Sequence, residues 1–364
     1  MLAGVSGRDG TDRCPGVLRP FVADDGALVR LRVPGGRVRV AVLAELIALG
    51  AEFGAPVLAL TSRGNLQLRA LPNPLPAALI DRLGATGLLP SATHERVRNI
   101  LAAPLRPDLA PVVAELDAAI TGDPALAALP GRFLWAVSDA SGLVLGEPWD
   151  LAYQALDDHR GLVLAGNYAL EVSRGQAVAA LVQRAHLFLQ DRPDERTWSV
   201  RDLPADSAAF TGMRPHAVTA APPLLPGPAG VDVVAGVPLG MLRAAHVAAL
   251  AGVGEEVTIT PWRSVVVEGG ARHVAMLNDA GLVTLAGSPW SRLSACVGAP
   301  SCRQTTTRTL DLATGAAQAM GGSGPRVHVV GCERRCGRPS TPHVTVVAPA
   351  EVRQVLAAAG VPDG

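Results

Sequence analysis

Apolar residues recur at helical spacing over residues 39–71 and again over 236–269. Both stretches end in two short runs that read as strands. In "RVAVLAELIALGAEFGAPVLALTSRGNLQLRAL", Leu43, Leu46 and Ile47 supply the i, i+3, i+4 face of an amphipathic helix. A glycine-marked turn and two strands follow. "GVPLGMLRAAHVAALAGVGEEVTITPWRSVVVEG" reads the same way, with Arg243 and His246 expected on its wet side. Thr61 and Thr260 fall at corresponding strand positions, 199 residues apart.

A second pair of segments follows each copy. "VRNILAAPLRPD" (97–108) is similar to "LSACVGAPSCRQ" (293–304), with Pro104 matching Pro300. "GRFLWAVSD" (131–139) is similar to "PRVHVVGCE" (325–333), each an apolar strand and a turn. The chain therefore reads as two copies of one αβ module in the order A–B–A′–B′. Proline-rich "RPHAVTAAPPLLPGPAG" (214–230) is the expected linker between them. This alignment sets Ile100, Arg106 and Ser138 opposite Cys296, Cys302 and Cys332. One half carries thiols and the other does not, which suits a single cofactor held off-centre.

Composition narrows the chemistry. A chain of 364 residues, 49% hydrophobic, can bury a large core. Its 32 basic residues balance 32 acidic ones, so net charge makes no case for nucleic acid or an anionic membrane surface. All the basic residues are arginine, so Schiff-base catalysis and a Walker-type phosphate loop, which need lysine, are excluded. No apolar run reaches the ~18–20 residues of a membrane helix, and "MLAGVSGRDGTDRC" lacks the layout of a signal peptide. The expected compartment is the cytoplasm, where five cysteines point to thiols or metal ligands and not to a disulfide framework.

Four of those cysteines lie in one window as C-x5-C (Cys296, Cys302) and C-x3-C (Cys332, Cys336). C-x5-C fits structural zinc knuckles poorly, and the C-x-x-C of a thioredoxin-like pair is absent. Four thiolates from two loops suit a [4Fe–4S] cluster, and small flanking residues leave room for backbone amides near the sulfur. The bland alternative is four small core hydrophobes; the paired spacing argues against it. Arg303, Arg334, Arg335 and Arg338 flank the thiols, placed to offset an anionic cluster or hold an anionic ligand beside it. Cys14 stands apart as a free or structural cysteine.

C-x5-C and C-x3-C in the second half of a duplicated chain resemble the sirohaem-dependent nitrite and sulfite reductase family, over about residues 13–350. Further likeness lies in "LTSRGNLQL", with Thr61, Arg63, Asn65 and Gln67, and in the pair Arg98-Asn99. Alternation puts Asn65, Gln67 and Arg69 on one strand face and Leu66 and Leu68 on the other. The resemblance implies an α+β (mixed α/β), internally duplicated fold of ferredoxin-like halves and two haem-protein-like αβ lobes with pseudo-twofold symmetry. The implied layout is a flexible N-terminus (1–13), a first half (14–80), a cysteine-free lobe (81–213), the linker (214–230), a second half (231–285) and a cluster-bearing lobe (286–364). It also implies that Arg63, Asn65, Gln67, Arg98 and Asn99 line a tetrapyrrole site, and that Cys336 is the cysteine linking cluster to sirohaem iron.

One departure matters. The family's oxyanion pocket uses two lysines in an L-P-x-K-F-K-like strand, whereas "LPGRFLW" places Arg132 at the first and Leu134 at the second. Loss of that cation, together with "CPGVLRPFVADDGALVRLRVPGG", "TPWR" and "CVGAPSC", is similar to one branch, the precorrin-3B synthases. That branch implies a [4Fe–4S] monooxygenase of aerobic cobalamin biosynthesis. It uses O2 and an electron donor such as NADH or a reductase to hydroxylate precorrin-3A and close a γ-lactone. Arginine pairs bidentately with the carboxylates of such a macrocycle, so Arg63, Arg98, Arg132 and Arg263 are its expected anchors. Neither nucleic acid nor a membrane is an expected partner.

For O2 activation the sequence assigns no residue. Non-haem iron is one candidate cofactor, but it wants something like two histidines and a carboxylate. The eight histidines are scattered, and His94, His159, His216 and His343 read as ordinary. The competing functions are a sirohaem nitrite or sulfite reductase and a non-catalytic iron–sulfur electron-transfer module.

Overall fold

The computed structural model describes residues 12–361, which divide into two compact units. In its described part, unit 1 comprises residues 12–19, 32–36 and 88–223; unit 2 comprises 20–31, 37–87 and 224–361. Most of the flexible N-terminus expected over 1–13 lies outside the described residues. Asp12 is tied down: its carboxylate accepts from the amides of Cys14 (3.0 Å) and Gly131 (2.6 Å) and pairs with Arg96 at 3.1 Å.

Unit 2 holds both ferredoxin-like halves. In the first, β1 (Phe21–Ala23), β2 (Gly26–Leu31), β5 (Leu66–Leu71) and β4 (Leu58–Leu60) form an antiparallel sheet in that order. In the second, β12 (Gly227–Ala229), β13 (Asp232–Gly236), β16 (Ser264–Val267) and β15 (Glu256–Ile259) repeat the arrangement. Each half completes the other's sheet. β3 (Arg37–Arg39), just before helix α1 (Val40–Phe53), pairs with β15; β14 (Met241–Leu242), just before α5 (Ala244–Ala251), pairs with β4. The exchange caps an edge on each sheet that would otherwise expose unpaired backbone.

Leu43, Leu46 and Ile47 are buried, as the periodicity predicts. His246 is not on the wet side of α5: it is 5% exposed, and its Nδ1 accepts from the Arg243 amide at 3.1 Å, capping the helix start. A polar residue in an apolar helix pattern is here a buried cap, which periodicity alone does not distinguish from a solvated one. α2 (Ala77–Ala85) and α6 (Val274–Asp279) close the two halves.

The remaining part of unit 2 is a parallel three-stranded sheet, β17 (Leu293–Ala295), β18 (Val327–Val330) and β19 (Val344–Val347). α7 (Thr309–Ala319) and α8 (Val352–Ala358) share its core, where Ala313, Ala316 and Ala317 let α7 approach closely.

Unit 1 is built on a six-stranded sheet: β6 (Ile100–Ala102), β7 (Trp135–Ser138), β8 (Leu151–Ala155), β9 (Arg160–Ala165), β10 (Tyr168–Ser173) and β11 (Arg214–Pro215). The β6–β7 and β7–β8 pairs are parallel, like β17–β18 and β18–β19. α3 (Ala110–Gly122) and α4 (Ala177–Asp191) share its core, with Phe133 packed edge-on to Trp135 at 5.1 Å.

The shared hydrogen bonds correct the sequence alignment of the lobes. The Ala103 amide donates to the Val137 carbonyl as the Cys296 amide does to Val329. Ala103 is thus the counterpart of Cys296, and Ala140 that of Cys332, in place of Ile100 and Ser138. The counterparts remain thiol-free, so the asymmetry stands. The domain limits also differ. Both halves and the second lobe form one unit, the boundary that opens the main part of the first lobe falls at 87/88 and not 80/81, and residues 214–230 supply strands β11 and β12 at their two ends. Among the described residues no helix is long and apolar enough to cross a membrane.

Candidate functional site

Cys296 follows β17 and Cys332 follows β18, so two adjacent parallel strands deliver both cysteine loops at the same sheet edge. All five cysteines are free thiols. Cys296 Sγ accepts from the Gly331 amide at 3.3 Å and lies 3.7 Å from Thr309 Oγ1. A side chain at Gly331 would collide with Thr305, so glycine there keeps the amide close to sulfur. The Cys332 carbonyl accepts from the Arg335 amide at 3.2 Å, closing a turn in which Arg335 is left-handed (φ +49°).

Cys336 is the thiol that feels the others. Its pKa is raised, first by partial burial of the sulfur and then by Cys296, Cys332 and Cys302, while Arg334 pulls it down. All four of these cysteines belong to unit 2. Among the described residues no three His, Cys, Asp or Glu side chains converge as on a single metal ion. A [4Fe–4S] cluster distributes its thiolates over four irons, so its ligands need not meet at one point. The donor set, four thiols with an amide on one sulfur, fits such a cluster.

Two basic residues anchor the second loop. His328, fully buried in β18, donates from Nε2 to the Cys336 carbonyl at 3.2 Å, and its Nδ1 lies 2.9 Å from Ser294 Oγ. Burial, Arg263 and His343 lower its pKa to about 4, against the opposite pull of the Cys336 and Ser294 backbone. The ring is therefore neutral, carries its proton on Nε2 and accepts from Ser294. Arg263 donates to the Gly337 carbonyl at 2.7 Å, and burial lowers its own pKa.

The other predicted residues divide between the units. In unit 2, Arg63 is half-buried and its amide donates to Thr61 Oγ1 at 3.3 Å. Asn65 is 1% exposed, its amide on the same hydroxyl at 3.1 Å. Gln67, half-buried on β5, accepts from Arg30 at 3.2 Å. In unit 1, Arg98 is 4% exposed and forks onto Asp117 at 2.7 and 2.6 Å, with the Leu88 carbonyl at 3.1 Å. Asn99 donates to the carbonyls of Arg96, Gly131 and Phe133. Both side chains are committed to internal partners. Arg132 is exposed and lies over the Trp198 ring at 5.3 Å, and Leu134 is fully buried.

Residues 22–85 match the sequence model of the nitrite/sulfite reductase ferredoxin-like half domain. No curated protein matches the chain in sequence. Among solved structures, the NirA protein of Mycobacterium tuberculosis superposes with a TM-score of 0.60 at 18% identity, over 86% of this chain and 69% of NirA. The fold is nitrite/sulfite reductase-like. In that fold the two halves and the cysteine-bearing lobe stand together as unit 2.

Sequence reasoning missed His328, Asp24 and Asp25. His328 sits in an apolar strand run with no motif around it. The aspartates look like an ordinary "ADDG" hairpin turn. The arginines beside the thiols are also partly spoken for: Arg303 pairs with Asp24 at 2.7 Å and Arg335 with Glu333 at 2.8 Å.

Proposed function

We propose that this chain is an iron–sulfur oxidoreductase of precorrin-3B synthase type, converting precorrin-3A to precorrin-3B with O2 and an external electron donor. The observation that carries the iron–sulfur part is the delivery of the Cys296 and Cys332 loops at the same end of the parallel strands β17 and β18, with the Gly331 amide on the Cys296 sulfur. These four residues would hold a [4Fe–4S] cluster, and a bound cluster supplies single electrons.

The substrate part rests on the chain's own residues. In unit 2 the planar guanidinium of half-buried Arg63 has the geometry to pair with a peripheral carboxylate of a tetrapyrrole, with Gln67 on the neighbouring strand. Arg98 and Asn99 drop out of that role, since their donors are already used. In a monooxygenation one oxygen atom enters the substrate, the other leaves as water, and the donor provides two electrons. No side chain is assigned to O2.

The half-domain match supports a sirohaem nitrite or sulfite reductase equally well. Leu134 favours the first reading: it is an apolar, fully buried residue where the resemblance expects a second lysine for the oxyanion. Anaerobic purification followed by visible spectroscopy and iron, sulfide and zinc analysis separates the readings. Four irons and four sulfides without extractable sirohaem, and an oxygenated lactone from precorrin-3A, reductant and O2, are expected. Extractable sirohaem moves the assignment to the reductases, and zinc in place of iron and sulfide removes the cluster. Cys336→Ser is expected to lose the cluster, while Cys14→Ser retains it.

A further inference from the structure

The β1–β2 turn supplies two successive carboxylates that act on the two peptides flanking Cys302, Asp25 through Arg69 and Asp24 directly. Asp25 receives Arg69 in a two-pronged pair, Nε at 3.1 Å and Nη2 at 3.0 Å, and both side chains are about 15% exposed. The same Nη2 donates to the Ser301 carbonyl at 3.1 Å. Asp24 accepts from the Arg303 amide at 2.7 Å and pairs with the Arg303 guanidinium at 2.7 Å. The Ser301 carbonyl belongs to the peptide before Cys302, and the Arg303 amide to the peptide after it.

Peptides are planar, so holding one atom in each of two successive planes narrows the dihedrals open to the residue between them. We propose that Asp24 and Asp25 are positioning residues that restrain the backbone of Cys302, and hence the direction in which its side chain leaves the chain, for the cluster ligand role assigned above. The proposal rests on that role only for its purpose; the bracketing itself is independent of iron. It gives the N-terminal hairpin a function on a loop nearly 280 residues away in sequence. Both carboxylates are neutralised by the arginines they hold. They therefore add order at Cys302 without placing net negative charge beside thiolates. Outside this bracket, the loop's own bond is weak, the Thr305 amide reaching the Cys302 carbonyl at 3.4 Å.

The test uses the full-length chain as wild type, Asp24→Ala, Asp25→Ala and, as control, Glu256→Gln, which removes a surface partner of Arg37 elsewhere in unit 2. In iron-free, reduced protein, alkylation of each cysteine by iodoacetamide is followed by peptide mass mapping. Loss of a charge-assisted bond is expected to raise the Cys302 rate about tenfold relative to Cys332 in both aspartate variants, and in neither wild type nor control. A general loosening would speed all four cysteines alike, and an unchanged Cys302-to-Cys332 ratio overturns the proposal. In reconstituted protein, chelator-driven iron loss is expected to quicken in the same two variants. If wild type takes up no iron and sulfide, the cluster reading falls while the alkylation ratio still decides the bracket.

Discussion

Arg263 donates to the Gly337 carbonyl at 2.7 Å, one residue past Cys336, from a left-handed backbone at φ +57°. The same turn in the first half is closed by the same bond, Thr61 amide to Asn65 carbonyl there and Thr260 to Ser264 here. That register puts Gly64 (φ +64°), and not Arg63, opposite Arg263. A strained arginine has replaced a glycine where the cysteine loop needs a donor. Arg263→Gly is expected to exceed Arg263→Ala in unfolding free energy by about 1 kcal/mol, since glycine accepts positive φ. Both variants are expected to release iron faster than wild type. Denaturant unfolding of iron-free protein and chelation kinetics of loaded protein check the two halves of this statement.

His328→Phe keeps an aromatic ring and removes the donor to the Cys336 carbonyl. Leaving that acceptor unpaired costs about 1–3 kcal/mol, seen as faster cluster loss, with Ser294 Oγ left its longer bond to the Val327 carbonyl at 3.4 Å. His328→Gln, which offers a side-chain N–H, is expected to recover part of the loss. Equal behaviour of the two variants would show that ring packing, not the hydrogen bond, matters.

Arg98→Met is expected to destabilise the fold by about 3 kcal/mol, because it leaves Asp117 without its buried partner. Iron and sulfide content should stay at wild-type values, since Arg98 lies in unit 1 and Cys296, Cys302, Cys332 and Cys336 in unit 2. A variant of normal stability that binds tetrapyrrole weakly would return Arg98 to the substrate site.

His246 has a lowered pKa, caused first by burial and then by Arg243, and its Nδ1 must be unprotonated to accept the Arg243 amide. The unfolded chain therefore takes up the proton first as pH falls. The contribution of neutral His246 is complete above the ordinary value of 6.5 and is lost as pH drops through the lower folded value. Urea unfolding between pH 7.5 and 5 is expected to show stability declining toward acid, with a shallower slope in His246→Gln.

Much of this arrangement is legible in the residue order. The helix–strand–strand pattern of 39–71 and 236–269 is local, set by the spacing of Leu43, Leu46 and Ile47 and by the strand runs that follow. The paired spacing of four cysteines is likewise a property of residue order, and it is what singles them out as candidate ligands. The lobe register was misread by a few positions, since Pro104 and Pro300 match by composition while the backbone bonds equate Ala103 with Cys296. Arginine roles were least legible: Arg98 and Arg263 have the same side chain, and one holds a carboxylate while the other holds a loop carbonyl.

By itself the sequence determined the duplication, the thiol-bearing half and the absence of lysine chemistry, because periodicity, spacing and composition are properties of the chain's order. Only the tertiary structure decided the exchange of β3 and β14, the burial of His328 and His246, and the bracket that Asp24 and Asp25 place on Cys302. Those are pairings between segments far apart in sequence. Hydrogen-bond donors and acceptors are common to nearly every residue, so their partners are settled by which surfaces pack together.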